Sequence, residues 1–396
     1  MAKRQFTSTD TSRWRDKYST GRSGNKTYTS SHQLDSSDGF YNSPITGNAS
    51  DTTASVLGLA NGVYNLPCKI IQTQGTGAQD DPNWEFNVLI SIAANVATFK
   101  YPLTRNYNIG AQIVTGNPYR RVVINNGVSL TVPSWDGQKG GEFVQFCSEL
   151  WDNSLGGNIN LLTKGFRGSP GTNRASLSAT NSNSGEGYPG NGSTTTSANG
   201  NSGGGAQGGD GGSGGGGGGN STTGQNGGNG QGTPGTGGGT SNNEALTIMT
   251  FAGAGAGGKG ESNTSPGSGG GNGANSPGNI TIVARVIRGG IIYLNGSGGG
   301  NGANVGSEGS GGGGASAGGN GLFKGEDVTL PNTVTALSAS GGTPGGGASG
   351  KGGDSSVGRI RAEYSRKISV NTSPSASTYK DKTLSSLRSK ALMLML

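Results

Sequence analysis

Apolar positions along the chain come in short runs, some alternating with polar residues and some unbroken, with helical spacing only in the C-terminal tail. Between residues 41 and 135 the runs are Cys68-Lys-Ile-Ile-Gln-Thr-Gln, Trp84-Glu-Phe-Asn-Val-Leu-Ile-Ser-Ile, Val96-Ala-Thr-Phe-Lys-Tyr, Ala111-Gln-Ile-Val-Thr, Arg121-Val-Val-Ile and Val128-Ser-Leu-Thr-Val-Pro. Turn-forming residues separate them, and Asn125-Asn-Gly between the last two predicts a hairpin turn. Closely spaced strands without helical periodicity predict a small all-β domain over 41–135, a sandwich or a barrel.

From residue 136 the texture changes, and three segments resemble one another. They are Phe143-Val-Gln-Phe-Cys with Asn158-Ile-Asn-Leu-Leu, Asn279-Ile-Thr-Ile-Val-Ala-Arg-Val-Ile-Arg with Ile291-Ile-Tyr-Leu, and Asp327-Val-Thr-Leu with Thr333-Val-Thr-Ala-Leu. Each is an apolar strand, a short connection and a second strand that dissolves into small residues and glycine. Degenerate repeats of one strand pair predict a β-solenoid-like frame in which each unit buries its apolar face against the next.

Two glycine-rich excursions, about 172–278 and 301–326, leave and re-enter that frame, and a structureless loop of the first size would be abnormal in a compact body. Within 202–220 the triplets Gln207-Gly-Gly, Asp210-Gly-Gly and Ser213-Gly-Gly suit a polyproline-II-type helix with three residues per turn, variable side chains on one edge and bare backbone on the others. Bare backbone lets neighbouring strands approach and bond sideways, which predicts polyglycine-II packing. The run Ala245-Leu-Thr-Ile-Met-Thr-Phe-Ala reads as a short strand anchoring this slab in the core, and 356–370 as a closing strand. Four blocks follow: a basic extended attachment arm over 1–40, the all-β domain over 41–135, the glycine-rich solenoid and polyglycine-II domain over 136–370, and a docking tail over 371–396 that carries Leu384, Leu387, Leu392 and Leu394.

Glycine accounts for 83 of 396 residues, yet a sustained Gly-X-Y period is missing, which argues against collagen. The net charge of +7 sits at the ends: residues 1–40 hold seven Lys or Arg against four Asp, and 351–396 hold nine against three acids. No run is dense enough for a nucleic-acid patch, so solvated tails or a protein partner are expected. No apolar run has the length of a membrane span, and the N-terminus lacks the apolar core of a secretory leader, which fits a particle assembled inside a cell. Cys68 and Cys147 are far apart, and whether they pair is open.

Catalytic, cofactor-binding and metal-ligating residues are not expected. The single histidine, His32, lies in the polar arm, which excludes a His/Cys zinc site and leaves a Ser-His-Asp triad without support. Glu142, Glu149, Asp136 and Asp152 could supply paired carboxylates but share no pattern. Gly255-Ala-Gly-Gly-Lys-Gly lacks the Ser or Thr and the helix of a phosphate-binding loop. Binding fits better: Trp135, Trp151, Phe166 and Tyr188 stand near turns or entries to the glycine region, where aromatic rings could meet a surface ligand, and Arg4, Arg13, Trp14 and Arg15 are the candidate attachment residues of the arm.

Trp135-Asp-Gly-Gln-Lys-Gly-Gly, Thr163-Lys-Gly-Phe-Arg-Gly-Ser-Pro-Gly, the block 185–239 and the block 291–302 together resemble glycine-rich tail-fibre and tail-tip adhesin-type structural proteins of tailed bacteriophages, with packed polyglycine-II helices. The likeness covers roughly 130–360 and departs from those adhesins in having strands threaded through the glycine blocks. It implies a non-enzymatic structural protein of a phage tail, located in the virion and taking part in host-surface attachment. Its implied partners are other virion or fibre subunits through the arm, further copies of itself, and a cell-surface glycan or outer-surface protein. A self-assembling extracellular filament or matrix protein of a bacterium is the alternative reading.

Overall fold

The computed structural model describes residues 22–75, 82–172, 182–207, 212–260, 269–305, 308–345 and 349–385. Its strands run β1 (Asn25–Tyr28), β2 (His32–Gln33), β3 (Asn42–Thr46), β4 (Thr53–Val56), β5 (Gly62–Gln72), β6 (Trp84–Ala93), β7 (Val96–Phe99) and β8 (Ala111–Thr115) in the first third. There follow β9 (Pro118–Ile124), β10 (Ser129–Thr131), β11 (Glu142–Asp152), β12 (Asn158–Asn160), β13 (Asn279–Arg288) and β14 (Ile291–Tyr293). The chain ends with β15 (Asn304–Val305), β16 (Glu308–Gly309), β17 (Asn320–Leu330), β18 (Val334–Thr335), β19 (Arg359–Val370) and β20 (Ser377–Lys380). The all-β expectation holds.

Strands β3 to β8 close an antiparallel barrel in the order β3-β4-β7-β6-β5-β8. Its interior holds Ile45, Val56, Cys68, Ile70, Leu89, Phe99, Tyr107 and Ile113. Neighbouring positions on β5 and β8 face outward onto other buried groups, Ile71 against Leu246 and Met249, and Val114 into the core of the frame. Burial on both faces explains why strict alternation fails in β5 and β8, where Ile70 and Ile71, and Ile113 and Val114, stand side by side.

The frame consists of two parallel sheets, ordered β1-β9-β11-β13-β17-β19-β20 and β18-β14-β12-β10-β2. The chain alternates between them, a long strand in the first and a short one in the second, so each turn stacks on the one before. All partners in both sheets are parallel, with Ile280 beside both Phe143 and Gly321, and Ile292 beside both Ile159 and Val334. Between the sheets lie Val122, Phe143, Trp151, Ile159, Ile287, Ile292, Val328 and Val334. At about 25 cal/mol per Å² of apolar surface removed from water, such a column is the main source of hydrophobic stabilisation in the frame.

The three look-alike segments are the turns β11–β12, β13–β14 and β17–β18, as their pattern predicts. Two earlier turns escape that pattern: β1–β2 and β9–β10, separated in sequence by the whole barrel. Residues 25–40 are therefore part of the frame, with Tyr28, Leu34 and Phe40 buried, and residues 1–21 of the expected arm lie outside the described residues. The barrel spans 42–115, not 41–135. Asn125-Asn-Gly makes no hairpin; it turns the corner from β9 into β10 in the other sheet, with Gly127 at φ +74 and Val128 N–H donating to Asn125 O at 3.2 Å. Cys68 and Cys147 belong to the separate cores of barrel and frame and are not joined to each other.

The glycine-rich excursions extend the turns of the frame outward. Each leaves a short strand as an extended segment (from β12, β14 and β18) and returns as another that runs straight into β13, β17 or β19. The third of these, 336–358, is read from the sequence only as the end of a strand. The segment 212–219 lies at their centre. Gly212, Gly215 and Gly218 donate to Gly309, Gly312 and Ala315; Gly214 and Gly217 donate to Gly228 and Gln225; Gly216 and Gly219 donate to Gly204 and Asn201. Its carbonyls accept with the same spacing, from Gly350, Gly353 and Ser356, from Gly235 and Gly238, and from Lys259, Ala256 and Gly253. All these N···O distances fall between 2.7 and 3.3 Å, so one strand is bonded sideways to six segments with a period of three residues.

The triplet expectation needs one correction. Gln207 belongs to one segment and Ser213 to another that runs back beside it, with Gly216 and Gly219 donating to Gly204 and Asn201, so the two triplets do not share one edge of a single helix; Ser213 is buried in the bundle, and Asp210 lies outside the described residues. The run Ala245-Leu-Thr-Ile-Met-Thr-Phe-Ala does anchor the slab, through Leu246, Met249 and Phe251, but as irregular chain and not as a strand. The tail's Leu384 is buried within a 3-10 turn at Lys382–Ser385; Leu387, Leu392 and Leu394 lie outside the described residues.

A methyl group at Gly216 would be driven into the carbonyl of Thr236, whereas one at Gly298 would meet only Ser340 O at 3.4 Å. Gly216→Ala is expected to cost about 3 kcal/mol or more, because the obstructing atom is backbone, and Gly298→Ala close to nothing. Thermal or urea unfolding of the two variants checks this; equal midpoints would contradict the close packing.

Candidate functional site

Three of the four aromatic residues expected at a recognition surface are core residues. Trp151 is fully buried between the sheets of the frame. Trp135 and Phe166 pack edge-to-face with each other and with Phe251, at centroid separations of 6.2, 5.6 and 5.2 Å, and close the base of the glycine bundle. The physical reason is volume: where bare glycine strands meet the frame, large rings fill the space that glycine leaves open. Tyr188 is half-buried at the turn 187–190, its carbonyl accepting from Gly75 N–H at 2.8 Å and its N–H donating to Asn201 Oδ1 at 3.1 Å. Arg4, Arg13, Trp14 and Arg15 lie outside the described residues.

The same region holds a buried carboxylate that ties barrel, frame and bundle together. Glu186 accepts from Gln74 Nε2 at 2.9 Å, from Trp135 Nε1 at 3.1 Å, and from the backbone N–H, Nε and Nη2 of Arg167 at 3.0, 2.9 and 3.1 Å. The hydrogen bonds to Glu186 outweigh the burial of Arg167 and hold its guanidinium above its ordinary value.

A second buried network runs along the starts of successive frame strands. Lys69 of the barrel donates from Nζ to Glu142 Oε2 at 2.8 Å and to Thr281 Oγ1 at 3.2 Å, and both ionic side chains are fully buried. Asn279 Nδ2 donates to Glu142 Oε1 at 2.7 Å, Asn320 Nδ2 to Asn279 Oδ1 at 3.0 Å, and Asn220 Nδ2 to Asn320 Oδ1 at 3.0 Å. Burial pushes the Lys69 ammonium below its ordinary value, against the pull of Glu142. The signal for this ladder was present in the repeats, each strand opening with glycine and then a polar residue: Gly141-Glu142, Gly278-Asn279, Gly319-Asn320 and Gly358-Arg359.

Two of the open surfaces among the described residues suit a ligand. One is the distal edge of the bundle, where outgoing segments end beside the starts of returning ones: Thr172 with Gly270, Gln207 with Thr233, Gly228 with Lys351, and Gly345 with Ser310. The other is a cleft of about 430 Å³ at the seam of barrel and first coil turn, lined by Arg22, Tyr41, Asn61, Tyr64 and Asn117 among others. Tyr41 and Tyr64 meet edge-on at 5.4 Å, and Arg22 Nη2 donates to Tyr64 O at 2.9 Å. Half-exposed rings beside carboxamides suit a ligand with both apolar faces and hydroxyls. The cleft draws on four distant stretches of chain, so nothing in local sequence marks it.

His32 is not a solvated arm residue: it lies in β2, with Nε2 2.5 Å from Asp38 Oδ2. His32, Asp35 and Asp38 bring ligand-type atoms within 4.8 Å of one another. Lys26 Nζ, 2.9 Å from Asp38 Oδ1, supplies the cation there, and Tyr28 donates to the same oxygen at 3.1 Å. Burial raises the Asp38 carboxyl, but the bonds from Lys26 and His32 outweigh it and hold it below the usual range. The remaining carboxylates are engaged separately: Glu149 with Arg121, Asp152 with Ser154 and Arg288, and Asp136 with the N–H groups of Gln138 and Lys139.

No protein-family model and no curated protein sequence matches the chain. Among solved structures, the Gp54 tailspike of Acinetobacter baumannii bacteriophage AP22, in complex with A. baumannii capsular saccharide, is matched at 12% identity with a TM-score of 0.17. The match covers 31% of this chain and 24% of the tailspike, a likeness too slight to carry an argument.

Glu186→Ala would leave Trp135 Nε1 buried without its acceptor and Gln74 Nε2 with Gly187 O alone, at 3.2 Å, and is expected to cost about 3 kcal/mol. Arg167→Ala, which removes a half-exposed partner, is expected to cost about 1 kcal/mol. Urea unfolding of both variants measures the difference, and equal losses would show that Glu186 is not the pin.

Proposed function

We propose that this chain is a non-enzymatic structural protein of a bacteriophage tail, a fibre or its tip, whose glycine bundle is a rigid polyglycine-II spacer that presents its distal edge to the host surface. The observation that carries this reading is the segment 212–219, bonded to six neighbours with a three-residue period. A bundle so connected is stiff in every lateral direction, while the turns at its edge are free to differ in sequence, which is the arrangement a recognition surface needs. The resemblance of 185–239 and 291–302 to tail-tip adhesins points the same way. A cell-surface glycan or outer-surface protein is the ligand class. The first sheet ends at β1 and β20, and such ends are where further subunits or copies join a parallel stack.

Attachment to the particle falls to residues 1–21 alone, because Tyr28, Leu34 and Phe40 are core. Deleting 1–21 is expected to abolish incorporation into particles while leaving the melting temperature unchanged. Replacing the distal turn at 229–232 by a Gly-Ser sequence of equal length is expected to leave assembly intact and lower adsorption to host cells at least tenfold, if that turn contacts the receptor. The same replacement is made in turn at the other distal turns, and unchanged adsorption for every one of them would overturn the reading.

A further inference from the structure

The Lys69–Glu142–Asn279 constellation has the makings of a covalent cross-link. We propose that Lys69 and Asn279 join through an intramolecular isopeptide bond, with Glu142 as the proton carrier, so that barrel strand β5 becomes covalently tied to frame strand β13. The inference does not depend on the function proposed above.

The chemistry needs a neutral amine, a polarised carboxamide, a group that moves a proton between them, and exclusion of water. Lys69 is wholly buried, and Trp84 lies with its ring centre 5.6 Å from Nζ. One carboxylate holds both reactants, Oε2 of Glu142 accepting from Lys69 Nζ at 2.8 Å and Oε1 accepting from Asn279 Nδ2 at 2.7 Å. Asn320 Nδ2 donates to Asn279 Oδ1 at 3.0 Å, which polarises the carbonyl and would steady the negative charge that grows on Oδ1 during attack. In the step itself Glu142 takes a proton from the Lys69 ammonium. Nζ then attacks Asn279 Cγ, the Cγ–N bond forms, and the Cγ–Nδ2 bond breaks. One further proton passes from Nζ to Nδ2 by way of Glu142, ammonia departs, and Glu142 keeps the proton it first took from the ammonium. No oxidant or cofactor enters the balance.

Intact-mass measurement of the folded full-length chain tests this. The expected result is a mass about 17 Da below that of the sequence, one ammonia lost, together with a branched tryptic peptide joining Lys69 to Asn279. A succinimide at an Asn-Gly pair has the same deficit but leaves linear peptides, so peptide mapping separates the two. Asn279→Ala and Glu142→Gln are expected to show the full mass of their own sequences. A wild-type chain at full mass, with Lys69 open to acylation after denaturation, would establish a buried ion pair only and overturn the proposal. The wild-type measurement decides even if the variants do not fold.

Discussion

The structure depends on how closely peptide backbones approach one another when no side chain stands between them. Around 212–219 every C=O, and the N–H groups of 212 and 214–219, find partners on neighbouring segments, and three successive residues point in three directions. An ordinary sheet bonds a strand on two sides and covers its faces with side chains. Here the faces are used for bonding as well, which only glycine and a few small residues permit. The cost is conformational entropy, greatest for glycine, and it is offset collectively: the segments are held at one end by the frame and along their length by one another.

The apolar cores and the bundle play different parts. Burial in the frame and barrel stabilises the body, and the glycine segments inherit register from it, since the last segment of each excursion is continuous with a long frame strand. Where the two regimes meet, the protein concentrates its large rings and buried polar groups. Trp135, Phe166 and Phe251 fill the base; Glu186 gathers five hydrogen bonds; the Glu142–Asn279–Asn320–Asn220 ladder runs from the frame into the end of the central glycine segment. A buried polar network of this kind fixes one arrangement among many that apolar contacts alone would allow.

Much of this plan was legible in the residues. The repeated strand pairs, the outward glycine runs and the anchoring role of Leu246, Met249 and Phe251 all follow from local pattern. What stayed hidden has a common cause, separation along the chain. The turn β1–β2 and the turn β9–β10 are neighbours in the frame, yet a complete barrel lies between them, so no repeat is visible. Asn125-Asn-Gly has hairpin chemistry, and only the parallel partners of β9 and β10 show that it rounds a corner. Trp135, Trp151 and Phe166 stand beside turns, a position that suggests exposure, and their burial comes from partners far away in sequence. The cleft of Tyr41 and Tyr64 was missed for the same reason.

The three-residue bonding period also limits how such a protein can change in length. Adding or removing one residue within a glycine segment would rotate every later N–H toward the wrong neighbour. A change of three, matched on the outgoing and returning segments, keeps all directions. The bundle can thus grow or shrink only in whole triplets taken in pairs.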